Sequence, residues 1–343
     1  MKHACRFQAL TTKTETRRII APLVLASFMA GSSPQERIAW KESYEAALEQ
    51  SRQQGKLLVA HFWLEGRPLG KEMNDETFSN SEVVRFSNQR FLNVRVRISE
   101  RPELFDKTIG GRGGLGTCVL DGSGDVVSAL PGFARPQVYL QFLRRAEEGY
   151  PKLRAARNAA KRSPGSVGAL HHLAETYQEL GSARRAEEHF EMIIRLGAQA
   201  GKLTPQLKKY VAFSHERIAR ARAMRGKNRE AALETAEYRR LDPENRLGRL
   251  DRVILTEALI SWIERRLKDA LRILEGALKD FPSSSEHDQM LLATGVVRHE
   301  AQDDAGALVV LERLIKEYPL SPAVAQAKEH IAHIKNPPPE HQH

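Results

Sequence analysis

The chain of 343 residues holds only two cysteines, Cys5 and Cys118. Cys5 falls in a segment that reads as removable, so a mature protein would keep one thiol and form no internal disulfide. The fold must then rest on packing. Cys118 sits in the strand-like run TCVLD, where an inert core thiol is the expectation and a reactive or intermolecular one the alternative. No His, Cys or carboxylate set has metal-ligand spacing. His171 and His172 are adjacent on a helix and diverge, and His341 and His343 lie in a Pro-rich tail. Also missing are a Ser nucleophile motif, paired catalytic carboxylates and any cofactor fingerprint. Gly110-Gly111-Arg112-Gly113-Gly114 lacks the Lys-Ser/Thr of a phosphate loop and precedes a strand instead of following one.

Acidic residues are also in deficit: 43 against 53 Lys and Arg, a net charge of +10. Residues 1–33 carry +4 of this. The excess suits an acidic partner, but no RNA- or DNA-binding motif accompanies it, so no specific nucleic acid is implied. Long apolar runs are lacking too. IIAPLVLASFMAG (19–31) has 13 residues, short of a membrane span. It follows Arg17-Arg18 and precedes Ala30-Gly31-Ser32, which reads as a signal peptide over 1–33, with a twin-arginine route as one option. Export to a bacterial periplasm or envelope is the expectation. A cytoplasmic protein with a mis-assigned start or a buried N-terminal helix is the alternative.

What is present divides at about residue 150. Residues 36–55 read as an amphipathic helix with Ile38, Tyr44, Ala47 and Leu48 on its buried side and Gly55 at its end. LLVAHFW (57–63) reads as a buried central strand. A helix follows Gly70, and Ser79 to Glu82 reads as the cap of another. FLNVRVRI (91–98) alternates as a strand, and 116–132 reads as a hairpin turned at Asp121 to Gly124. Residues 136–149 close the first domain as a helix. KLRAARNAAKR is a basic linker helix within 151–165, bracketed by Tyr150-Pro151 and Ser163-Pro164-Gly165.

Residues 57–73, LLVAHFWLEGRPLGKEM, resemble the thioredoxin stretch in which a buried strand ends in Phe-Trp before Cys-x-x-Cys-Lys. Phe62, Trp63, Glu65, Lys71 and Met73 match. The resemblance covers about residues 36–150 and implies an α/β thioredoxin-like domain over 34–150. Lys71, Met73, Glu76, Thr77 and Phe78, followed by Ser81-Glu82-Val83-Val84, resemble one subgroup of the family. The cysteine positions fall on Arg67 and Gly70, flanking Pro68 and Leu69. The family's cis-proline position falls on Leu115, where a trans bond is expected. The family's buried Asp falls on His61, which reads here as a core histidine. Arginine and glycine supply neither an attacking nor a resolving thiol, so a redox-inactive scaffold is implied. Arg67, beside a helix start and the Gly-rich loop, could form a carboxylate- or peptide-binding corner, with a solvated surface arginine as the other reading.

From 166 to 335 the chain reads as all-helical, with a recurring small residue, alanine, large apolar residue and proline. Ala174, Ala186 and Phe190 give one unit. Ala219, Ala231 and Pro243 give the next, Ala258, Ala270, Leu274 and Pro282 the third, and Gly295, Ala307, Leu311 and Pro319 the fourth. The pattern resembles tetratricopeptide repeats, which implies an all-α solenoid of helix pairs touching at Ala174, Ala186, Ala231, Ala270 and Ala307. A protein or peptide held in the solenoid groove follows from the same resemblance. The basic run 217–229 offers Arg217, Arg220 and Arg225 to one face or the other. Residues 336–343, NPPPEHQH, read as a disordered tail. Together these features point to a non-catalytic binding protein. The competing reading is a thiol–disulfide oxidoreductase using Cys118 or a partner's thiol. Oligomeric state is not encoded in any of these patterns.

Overall fold

The structure is a computed structural model describing residues 37–109 and 114–336. The signal-peptide reading, Cys5, most of the Gly-rich loop and nearly all of the Pro-rich tail lie outside the described residues.

The first half is an α/β domain. Strand β1 (Trp40–Lys41) precedes helix α1 (Tyr44–Gln54). The helix expected from residue 36 starts late. The Ala39 amide donates to Asn88 Oδ1 at 2.8 Å and Trp40–Lys41 pair with a strand, so the chain is held extended there. Ser43 then caps α1, its hydroxyl accepting from the Ala46 amide at 3.1 Å. Strand β2 (Leu58–Trp63) leads to α2 (Pro68–Glu72), which runs into one π turn (Met73–Thr77). Helix α3 (Ser81–Arg90) is capped by Asn80, whose side-chain oxygen accepts from Glu82 and Val83. Then come β3 (Leu92–Arg97), α4 (Pro102–Thr108), β4 (Gly116–Leu120) and β5 (Val126–Pro131). Asp121 turns the hairpin by accepting from the Ser123 amide at 2.9 Å.

The sheet order is β1-β3-β2-β4-β5, with the β1, β3 and β2 pairs parallel and the β4 and β5 pairs antiparallel. Central β2 is apolar apart from His61 because both its faces are covered. Val59 and Val119 face one cluster; Leu58, Ala60, Phe62, Cys118 and Leu120 face the other. Full burial of a side chain such as Phe62 contributes about 1.5–3 kcal/mol.

Helix α5 (Pro136–Arg162) corrects the expected break at Tyr150-Pro151. One 27-residue helix runs through Pro151. An interior proline costs about 3 kcal/mol. The offset lies in a single buried stripe, Tyr139, Leu143, Ala146, Leu153, Ala156 and Ala160, that continues across it. One core cluster extends from Ile38 to Val253, so the sheet and the first helix pairs share a hydrophobic interior.

The second half pairs α6 (Val167–Glu179) with α7 (Ala183–Gln199), α8 (Pro205–Met224) with α9 (Asn228–Leu241), α10 (Leu250–Ile263) with α11 (Leu267–Asp280), and α12 (His287–Glu300) with α13 (Asp304–Glu317). Helix α14 (Ala323–Lys335) packs on the last pair. Each pair is joined by the same turn. The amides of Ser182, Lys227, Arg266 and Asp303 reach back to the carbonyls of Tyr177, Arg222, Ser261 and Arg298 at 2.8–2.9 Å. The residue before each donor is left-handed: Gly181, Gly226, Arg265 and Gln302, with φ of 79°, 72°, 62° and 63°. This is the Schellman arrangement that ends one helix and starts the next. First helices of successive pairs touch (α6 with α8, α8 with α10), while each second helix packs on the following first helix. The first helices therefore form an inner layer and the second helices an outer one.

The first turn of this layer closes the open edge of the sheet. Ser182 Oγ donates to the Val127 carbonyl at 3.3 Å, and Ser128 Oγ donates to the Leu180 carbonyl. Arg157 of α5 donates to the Val126 carbonyl at 2.9 Å and to Tyr177 Oη at 2.8 Å, and it pairs with Asp121. Arg185 reaches Asp125 at 3.1 Å.

Candidate functional site

At the C-terminal end of β2 the chain leaves the sheet and turns into α2. Arg67 is the exposed N-cap residue of α2 and makes no side-chain cap, and Pro68 opens the helix. Leu69 is 44% exposed and Gly70 half-buried. Leu115 is buried and its carbonyl accepts from the Gly132 amide at 2.9 Å. The two loops lie side by side, since a Cβ on Gly114 would stand 2.7 Å from Leu64 Cδ1. His61 lies below them, 2% exposed, with Nδ1 2.9 Å from Thr117 Oγ1 and Phe78 edge-on at 4.7 Å. Burial, then the charge of Arg95, pushes its pKa down to about 3. It is neutral at any physiological pH.

Cys118 is fully buried on the other face of the sheet. Burial pushes its thiol up to about 12, against a smaller opposing effect of a Thr108 hydrogen bond. The thiolate that exchange chemistry needs is not populated there. Among the described residues no thiol lies at the β2–α2 end, and α2 has five residues, too short for an anion site of its own.

The repeat positions lie between helices. Ala174, Ala231, Ala270 and Ala307 have no exposed surface, and Ala186 has 3%. Leu274 and Leu311 are buried beside them. A Cβ on Gly295 would stand 2.5 Å from Leu311 Cδ2, so α12 and α13 meet backbone against side chain. A second staple links successive units. Ser284 Oγ donates to Asp251 at 2.5 Å, and Ser321 Oγ donates to Asp288 one unit later. Sequence reasoning missed it, although its signal was present: both partners shift by the same interval as Ala270 and Ala307.

The basic run 217–229 divides in two. Arg222 turns between the pairs, meeting Glu187 at 2.8 Å, Glu191 at 2.6 Å and Glu234 at 2.8 Å. Arg225 joins it on Glu187 and so does not share the surface of Arg217 and Arg220, which corrects the sequence grouping. His215 completes this knot, 2.5 Å from Glu234. Arg217 and Arg220 instead reach across the inner layer. Arg217 lies 3.8 Å from Glu175 of α6 and 3.6 Å from Glu216. Glu216 lies 3.4 Å from Arg249 at the start of α10. Arg220 and Arg252 share Glu286 at 3.3 and 3.2 Å. The Arg249 guanidinium lies over Phe213, 3.9 Å from its centroid. In the other basic run, 144–162, Arg144, Lys152 and Arg157 pair with Glu82, Glu179 and Asp121.

No helix among the described residues is long and apolar enough to cross a membrane. No group of three or more metal-ligating side chains could hold an ion among the described residues. No curated protein matches the chain. Among solved structures, the DsbH oxidoreductase is 21% identical over 33% of this chain and 85% of its own, with a TM-score of 0.29. BtubC from P. vanneervenii is 20% identical over 56% and 82%, with a TM-score of 0.42. TTC0263, a thermophilic TPR protein of Thermus thermophilus, is 17% identical over 58% and 94%, with a TM-score of 0.40. Residues 289–321, the pair α12–α13, match the tetratricopeptide repeat family model, and the three preceding pairs repeat that pair's turn and its buried alanine.

Proposed function

We propose that the chain is a non-catalytic protein-binding scaffold of the bacterial cell envelope. In this reading a redox-inactive thioredoxin-like domain carries a tetratricopeptide solenoid, and an extended segment of a partner protein lies along the inner layer of first helices. The observation that carries it is that layer: the first helices α6, α8 and α10 stack in succession, and Glu216 and Arg217 on it keep buried polar atoms without a hydrogen-bond partner. Repeats of this kind generally bind protein or peptide segments along such a surface. The burial of Cys118 and its raised thiol count against the oxidoreductase reading.

Two measurements test the proposal. Immobilised full-length chain is exposed to a pool of random dodecapeptides, and retention is expected to be saturable and competed by free full-length chain. No retention above a bare support would overturn the binding reading. Envelope fractionation is expected to find a mature chain lacking roughly residues 1–32. A cytosolic chain with an intact Met1 would remove the location.

A further inference from the structure

Four guanidiniums on the inner layer form a two-by-two array. Helix α8 supplies Arg217 and Arg220, and the start of α10 supplies Arg249 and Arg252. Arg217 and Arg220 are three residues apart on α8 and so stand about 5–6 Å apart at Cβ; Arg249 is the non-helical N-cap residue of α10, three residues before Arg252. Glu216 ties the row Arg217–Arg249, and Glu286 ties the row Arg220–Arg252.

The array is built but not closed. Its ion pairs span 3.2–3.8 Å, whereas Arg222 meets three of its carboxylates at 2.6–2.8 Å. Charge-assisted hydrogen bonds close to about 2.7–2.9 Å when satisfied. The Glu216 side chain has no exposed surface, and its Oε1 has no hydrogen-bond partner. It therefore lies behind the arginines and orients them. The four arginine side chains keep 19–33% of their surface open. Phe213 fixes the plane of Arg249 from below. Four cations face three carboxylates, Glu175, Glu216 and Glu286. Burial first, opposed by Glu216 and reinforced by Arg217 and Arg252, holds Arg249 below the ordinary guanidinium pKa. An added anion would relieve that crowding.

We propose that this array is the specificity site of the solenoid and takes an extended acidic peptide, reading two carboxylates in an acid-x-acid pattern. In an extended segment, residues two apart lie on one side at about 6.6–6.8 Å, a spacing that long guanidinium side chains rooted about 5–6 Å apart at Cβ can span. The inference rests on the peptide-binding reading above. Bidentate geometry favours carboxylate on arginine, and the net charge of about +6 left outside residues 1–33 favours an acidic partner.

The test uses the full chain and two pools of C-terminally amidated decapeptides, mixed at every flanking position. One pool is fixed as Asp-x-Asp at its centre and the other as Asn-x-Asn. The Asp pool is expected to bind about tenfold tighter or more, with strong salt dependence. Arg220→Gln combined with Arg252→Gln should erase that preference, while Arg272→Gln, on the outer layer, should keep it. Should the double glutamine variant fail to fold, Arg220→Lys with Arg252→Lys keeps the charge but loses the fork, and should reduce the preference several-fold. Equal binding of both pools overturns the inference and leaves the peptide-binding reading intact. Binding of neither pool overturns both. Displacement of the Asp pool by a thymidine dodecanucleotide that itself binds tighter overturns the inference in favour of a general polyanion surface.

Discussion

Arg265 and Gln302 occupy the same left-handed turn position, one repeat apart, that Gly181 and Gly226 fill in the two earlier repeats. All four carry the same backbone hydrogen bonds, so the turn is imposed by the helix pair and not by the residue. A side chain held there costs about 1–2 kcal/mol. Gln302→Gly is therefore expected to raise stability by up to about 1 kcal/mol, the relief being partly offset by a freer unfolded chain. A Cβ on Gly226 meets nothing within 4 Å, so Gly226→Ala should cost about 1 kcal/mol through conformation alone. Urea melts of the two variants decide it. A destabilising Gln302→Gly would show that the side chain contributes more than the turn costs.

Ala270 tests the helix contact inside a repeat. It has no exposed surface, whereas Ala305 is exposed on α13. Ala270→Leu should overpack the α10–α11 contact and cost about 1–3 kcal/mol, and Ala305→Leu should stay within about 0.5 kcal/mol. Because neighbouring repeats share interfaces, the first change should also broaden the melt. Equal tolerance at both positions would contradict the packing.

The Arg222 knot predicts acid sensitivity. Burial alone would raise the Glu187 carboxyl, but hydrogen bonds from Arg222 and Arg225 outweigh it and hold the pKa below 4.5. A carboxyl depressed on folding stabilises above its unfolded pKa and loses that contribution as pH falls through the folded value. The solenoid should thus weaken below about pH 4.5. Arg222→Met should cost about 3 kcal/mol or more at pH 7, by leaving Glu187, Glu191 and Glu234 to face one another. In that variant stability should rise on mild acidification, because protonation relieves the repulsion. A variant with the wild-type pH profile would show that the knot is not electrostatically coupled.

Cys118 should be inert until the sheet opens. With its thiol pushed up to about 12 and no exposed surface, it should not react with a disulfide reagent at pH 8 in the native state. Reaction should be complete in guanidinium chloride. Insulin reduction with dithiothreitol should not exceed the uncatalysed rate, and Cys118→Ser should change nothing. Turnover lost on that substitution would restore the oxidoreductase reading.

The sheet and the first repeat should unfold together. Arg157 is 12% exposed and bonded to Asp121, the Val126 carbonyl and Tyr177. Arg157→Met should cost about 3–5 kcal/mol by stranding Asp121. It should lower the sheet and α6–α7 signals in one transition. Two separated transitions, only one of them shifted, would show independent cores.

How much of this is legible in the chain varies by element. The helix pairs are, because a buried alanine such as Ala307 and a terminal proline such as Pro319 answer local needs at fixed spacing. The strand Leu58–Trp63 is legible because both its faces are covered, so its run of apolar residues has no helical period. The strand at Trp40–Lys41 is not, since two residues carry no period and the cause lies with Asn88 and β3. The continuity of α5 is hidden by Pro151, whose local rule is overridden by a stripe that only tertiary packing reveals. The arginine array is the least legible of all. Residues 217–252 contain its members, but Glu286, which closes one row, comes from the next repeat.

The covering of β5 sets an order on biosynthesis. Strand β5 ends at Pro131, and the serine that caps its edge is Ser182, about 50 residues later. At ~5–20 residues per second, a ribosome takes roughly 3–10 s to supply it. For that interval the emerging sheet presents an uncapped template to other nascent chains. The first helix pair thus acts as an internal chaperone for the sheet, and a chain truncated before residue 182 should aggregate during translation even though every strand is complete.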